Sequence, residues 1–104
     1  MLTGKQKRFL RSKAHTLQPI FQVGKGGVND NMIKQIGEAL EVRELIKISI
    51  LQNCEEDRDT VAAELSKGAR AELVQIIGNT IVLYKESREN KQIILPSVKK
   101  GGYP

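Results

Sequence analysis

Three features of the 104-residue chain predict an α/β domain, a single sandwich of helices packed on a mixed four-stranded sheet. Apolar residues recur with a helical period in three stretches. Between and after these lie four short apolar or alternating runs, giving the order α-β-α-β-α-β-β. The last two runs are separated only by Gly78-Asn79, a tight hairpin signal. Helices between successive strands imply parallel pairing there, and the hairpin adds an antiparallel pair.

The first element spans residues 3–17. Thr3 is placed to cap a helix, and Gln6 stands three residues on, as a capping box requires. Phe9, Leu10, Ala14 and Leu17 cluster on one side, and Arg8, Arg11 and His15 on the other, flanked by Lys5 and Lys7. Lys13 falls toward the apolar side and must snorkel. Pro19 suits a helix that has already ended, and residues 20–23 read as a short strand. A second helix, capped by Asn29 or Asp30, runs to about Val42 with Ile33, Ile36 and Leu40 on its buried stripe. Within it Gly37 either allows close packing or faces water.

Residues 45–51 alternate, with Ile46, Ile48 and Ile50 facing one way and Lys47 and Ser49 the other, as in a half-buried strand. An acidic connection, residues 52–57, leads to a third helix with the stripe Val61, Ala62, Leu65 and Ala69. Residues 73–77 and 80–85 form the hairpin strands. From Glu86 the chain is polar except for Ile93, Ile94 and Leu95, and residues 97–104 read as a flexible tail after a domain of residues 1–96.

Composition excludes several function classes. A lone cysteine, Cys54, forms no internal disulfide, and one cysteine with one histidine, His15, falls short of a four-ligand zinc site. No run approaches the ~20 apolar residues of a membrane span, and the N-terminus lacks the apolar core of a signal peptide, so the expected location is the cytoplasm. Aromatic residues make up only 4%, so the core must be aliphatic. Tyr84 and Tyr103 are too far apart for a base-stacking platform, which favours readout of phosphates and shape.

The net charge is +5, and it is unevenly placed. Lys5, Lys7, Arg8, Arg11, Lys13 and Lys25 precede Asp30 with no acidic residue among them, and the remainder is close to neutral. A basic patch on a neutral body suits a polyanion, nucleic acid before an anionic membrane. The sharpest motif is Gly24-Lys25-Gly26-Gly27, a G-x-x-G pattern between a strand and a helix. Glycines permit close approach of another backbone, Lys25 adds a cation, and the helix N-terminus offers free N–H groups to a phosphate. In KH domains such a loop clamps a nucleic-acid backbone, and the pattern also occurs as a plain structural turn.

Other chemistries fit poorly. No Walker A loop is present, and the dinucleotide fingerprint begun by Gly24 and Gly26 meets Asn29 at its third glycine. His15 has no nearby carboxylate in sequence. Glu55 and Glu56 flank Cys54 and would raise its thiol pKa, opposing nucleophilic use. Glu55, Glu56, Asp57 and Asp59 lack EF-hand spacing and read as an acidic helix start. The expectation is no enzyme, no cofactor, no metal and no small-molecule substrate.

Residues 2–11, Leu-Thr-Gly-Lys-Gln-Lys-Arg-Phe-Leu-Arg, resemble the opening of the CRM-domain family, named for chloroplast RNA splicing and ribosome maturation. The likeness continues through Ala14-His15, residues 19–27 with the G-x-x-G loop, residues 38–41, 44–47 and 71–75, Ile77-Gly78, residues 81–84 and residues 93–96. It is greatest to the stand-alone bacterial YhbY-like members. Two departures stand out. Arg70 replaces a glycine that often closes the third helix, so either Arg70 is left-handed or the helix ends at Gly68, and Gly26 adds a glycine to the loop.

The resemblance implies a fold similar to the C-terminal domain of bacterial translation initiation factor three. It also implies RNA binding on precursors of the large ribosomal subunit, through 23S rRNA, by a monomer. Lys5, Lys7, Arg8, Arg11 and Lys25 would neutralise phosphates, and Gly24, Gly26 and Gly27 would admit the RNA backbone. The competing expectations are a module that docks on ribosomal proteins or the initiation machinery, and an enzyme acting on RNA.

Overall fold

The computed structural model describes residues 2–96; the expected tail at 97–104 lies outside the described residues. Helix α1 (Gly4–Ala14) opens with the capping box: the Thr3 side chain accepts from the Gln6 N–H at 3.1 Å, and Gln6 Oε1 accepts from the Thr3 N–H at 3.1 Å. It is shorter than the periodicity suggests, because His15 caps it and Leu17 N–H turns back to Ala14 O. Strand β1 (Pro19–Val23) follows, with Pro19 at its first position, where a missing N–H is tolerated.

Asn29 caps helix α2 (Asp30–Arg43), its side-chain oxygen accepting from Met32 N–H at 2.8 Å, while Asp30 sits in the positively polarised first turn. Strand β2 (Leu45–Ile50) leads to helix α3 (Arg58–Ala69), capped by Asp57. Strands β3 (Glu72–Ile77) and β4 (Thr80–Tyr84) form the hairpin.

Arg70 settles the end of α3. It adopts the left-handed conformation, φ +57°, and the helix runs past Gly68. Gly68 is required for a different reason: a Cβ there would overlap the Ile33 side chain of α2, so the missing side chain lets the two helices pack closely. At Gly37 a Cβ would meet open space, so that glycine serves no close contact.

The sheet order is β1-β2-β4-β3. β1 and β2 pair in parallel, as the intervening helix requires. The expected parallel pair across α3 does not form. β4 inserts between β2 and β3, antiparallel to both, so those two strands share a direction without touching. The hairpin carries this correction, because β4 can then bury Ile81 and Leu83 on one face and Val82 and Tyr84 on the other.

Both faces of the sheet are covered. Ile46, Ile48 and Ile50 join Val23, Ile81 and Leu83 beneath Ile36 and Leu40 of α2 and Val61, Ala62 and Leu65 of α3. On the opposite face Leu10 and Ala14 of α1 close over Leu45, Val74, Val82 and Tyr84. Residues 86–96 form a strap whose Ile93 and Leu95 pack against this second cluster. The Gln6 side chain donates to Pro96 O at 3.2 Å, tying the strap to α1.

Candidate nucleic-acid interface

Helix α1 packs on the sheet face opposite α2 and α3, against β2, β3 and β4. Along its margin is a cleft of about 570 Å³, lined by Arg8, Arg11 and His15 of α1, Lys47 of β2, and Gln75 and Ile77 of β3. Strand alternation puts Lys47 here. With Ile46 and Ile48 turned toward α2 and α3, the residue between them must face α1. Gln75 and Ile77, two apart on an edge strand, share that face, with Ile77 57% exposed.

No carboxylate lies within ion-pair distance of Arg8, Arg11 or Lys47 among the described residues. Three cations converge on one concavity that no carboxylate lines among the described residues. Lys5 and Lys7 extend the arc around α1, Lys5 exposed and Lys7 half-buried. At 100° per residue the four basic side chains cover roughly 160° of the helix. Lys13 lies back over an aromatic ring, its Nζ 5.5 Å from the Phe9 centroid.

The glycine loop stands apart from this cleft. Lys47 pairs with Pro19 at the start of β1, whereas the loop leaves β1 after Val23, which pairs with Ile50. At about 3.3 Å per residue the loop begins roughly 10 Å farther along the sheet. Gly27 N–H donates to Gly24 O at 2.9 Å, which closes a turn with exposed Lys25 and Gly26 at its tip. Gly27 has φ +69°, and Gly24 and Gly26 do not share that conformation. The predicted site residues thus form two groups: Arg8 and Arg11 in the cleft with Lys5 and Lys7 beside it, and Gly24, Lys25, Gly26 and Gly27 at the sheet's end.

An acidic neighbour flanks the loop on the α3 side. Glu56 Oε1 lies 3.2 Å from where a Gly27 Cβ would be. A side-chain hydrogen bond with Glu64 pushes the Glu56 carboxyl above its usual value. Asp57, one residue on, is held below its usual value by the Thr60 N–H that it caps, at 2.8 Å. Cys54 Sγ donates weakly to Glu56 O at 3.6 Å. Among the described residues no group of three or more His, Cys, Asp or Glu side chains is arranged to hold a metal ion, and no helix is long and apolar enough to cross a membrane.

Sequence reasoning placed Lys47 on the strand's polar face without assigning it to the site, and it passed over Gln75. The signal for Lys47 was present, a cation opposite an isoleucine stripe. Its convergence with Arg8 and Arg11 depends on which face α1 covers.

Residues 2–85 match the CRS1 / YhbY (CRM) domain family. The chain belongs to the CRM-domain family. This CRM domain is 81% identical over 96 residues to Probable RNA-binding protein YqeI of Bacillus subtilis, covering 92% of the chain and all of that protein. An RNA-binding protein of Haemophilus influenzae is 34% identical, over 86% of this CRM domain and 91% of its own length. The chloroplastic CRS2-associated factor 1 of Arabidopsis thaliana is 31% identical over 96% of the chain, which spans 14% of that longer protein. The solution structure of SAV1595 from Staphylococcus aureus superposes with a TM-score of 0.77 at 62% identity, over 92% of this CRM domain and all of that chain.

Proposed function

We propose that this CRM domain is a cytoplasmic, monomeric RNA-binding protein that assists assembly of the large ribosomal subunit by binding 23S rRNA in a precursor particle. The observation that carries the reading is the cleft in which Arg8, Arg11 and Lys47 converge with no carboxylate partner among the described residues. Cations held together on a rigid helix and strand are already paired with their electrostatic cost, and polyanionic phosphates relieve it. The names of the bacterial relatives support the same class of partner.

The mechanism is passive. Arg8, Arg11 and Lys47, with Lys5 and Lys7 beside them, neutralise phosphates along the sheet margin. An RNA backbone continuing along the sheet then reaches the loop, where Gly24 and Gly26 present backbone without side chains and Lys25 adds a cation. Binding holds one rRNA segment in place, and no bond is made or broken.

Equilibrium binding to labelled 23S rRNA fragments across a salt series tests this reading. Neutralising four or five phosphates gives a slope of log K against log salt near ~−3 to −4. A slope near zero, or affinity unchanged when Arg8, Arg11 and Lys47 are all replaced by Ala, rejects RNA binding through this surface and favours a protein partner. Crosslinking in growing cells that recovers no large-subunit rRNA rejects the assembly role.

A further inference from the structure

The cleft beside α1 differs in kind from a phosphate-binding strip. We infer that it accepts one unpaired nucleotide, so that this CRM domain recognises a bulge or loop in RNA rather than continuous duplex. The inference rests on the proposed RNA binding and names the structure that the same surface selects.

Shape is the first argument. Duplex RNA presents its phosphates on a convex outer surface, and a row of exposed lysines is enough to meet them. Here the cations line a half-open concavity of about 570 Å³, deep enough to receive a single nucleotide rather than only to face a phosphate row. In an A-form helix the base faces are stacked and the major-groove edges lie at the bottom of a deep, narrow groove, whereas a base swung out of the stack offers both its faces and its edges to a cleft.

Chemistry is the second. A phosphate strip needs only donors with positive charge. This cleft also contains the Gln75 carboxamide, which carries both a donor and an acceptor and makes no side-chain hydrogen bond among the described residues. Ile77, two residues on along the same face and largely exposed, supplies an apolar floor. The His15 imidazole and the Arg11 guanidinium supply flat groups from α1, and planar side chains of these kinds stack on unpaired bases where aromatic residues are lacking. Phosphate charge, a base edge and two base faces each have a counterpart within one cavity. Edge strand β3 explains why Ile77 remains open, since no further strand covers it.

The experiment compares two labelled hairpin RNAs of the same stem, one fully paired and one with a single-nucleotide bulge, titrated with the full chain at fixed salt. The expected result is at least tenfold tighter binding of the bulged hairpin. Gln75→Ala should remove that preference while leaving affinity for the paired stem unchanged, and it should unfold like the parent. Arg8→Ala should weaken both RNAs. Equal affinity for the two hairpins overturns the inference and leaves RNA binding standing, as does a Gln75→Ala variant that folds normally and keeps its preference. Failure of both hairpins and of 23S rRNA fragments to bind overturns the proposed function together with the inference.

Discussion

The Glu44 carboxylate, fully buried at the end of α2, accepts a 2.7 Å hydrogen bond from the backbone N–H of Ser87. Its other oxygen accepts from Gln92 and Ile93 N–H, each at 2.7 Å. One turn earlier Glu41 accepts from the N–H groups of Arg88 and Glu89, both at 3.0 Å, and from the Ser87 hydroxyl. Two glutamates thus pin the strap. Acidic residues at a helix C-terminus oppose the helix dipole, and the strap's amides supply the compensation.

Replacing that carboxylate tests its role. Burial pushes the Glu44 carboxyl up, and the three backbone donors outweigh it, so the group lies below its ordinary 4.5. The folded form therefore gains stability that is fully present above that ordinary value and is lost as pH falls through the lowered one. Glu44→Gln, which turns a donor toward donors, should cost roughly 2–4 kcal/mol at neutral pH, since hydrogen bonds to charged groups contribute about 1.5–3 each without strict additivity. Urea unfolding between pH 7 and pH 3 should show a shallower loss in the variant. Identical pH profiles would remove Glu44 from the account.

The three loop glycines separate folding from binding. Gly26→Asp places its side chain in open space, and Gly24→Asp meets Asn53 and Leu51 only at ordinary contact distance, 3.5 Å. Both should unfold like the parent and bind rRNA at least tenfold more weakly. Gly27→Asp should lose roughly 1–2 kcal/mol of stability from its left-handed backbone, besides crowding Glu56. If Gly26→Asp binds normally, the loop is a turn and the RNA contact belongs to α1 and β2.

Lys47→Ala should flatten the salt dependence by about 0.7–0.9, one phosphate's share. Lys34→Ala, on the exposed surface of α2, should leave the slope unchanged. Equal slopes for Lys47→Ala and the parent would take β2 out of the interface.

Arg70 and Gly68 predict opposite responses at the end of α3. Arg70→Gly relieves a left-handed non-glycine residue and should add about 1 kcal/mol in chemical unfolding. Gly68→Ala forces a methyl into Ile33 and should cost roughly 1–3 kcal/mol. A stabilised Gly68→Ala would show that α2 and α3 separate at no cost.

What the sequence made legible was local. Thr3 and Gln6 announce their capping box three residues apart, and Ile46, Ile48 and Ile50 announce a strand face by alternation. The order of strands was not legible, because β4 chooses between two neighbours through pairings such as Ile46 with Leu83 that no local pattern encodes. The cleft escaped for the same reason: Arg8, Lys47 and Gln75 meet only once α1 has chosen its face of the sheet. The strap looked like polar coil, since its order comes from carboxylates more than forty residues away. Glu41 and Glu44 did carry a signal in their unfavourable place at a helix end.

The sheet divides the apolar interior into two clusters, and the smaller one holds only α1, the strap and the sheet residues beneath them. The expected behaviour of a small, separately packed layer is local opening ahead of the main core. Amides of α1 and those donated to Glu41 and Glu44 should therefore exchange with solvent at one shared rate, faster than amides between β2 and β4. The strap sets Ile93 and Leu95 against the cluster that holds α1 and accepts a hydrogen bond from Gln6 at Pro96 O, so clipping the protein within residues 87–95 should loosen the basic helix without touching a single cation.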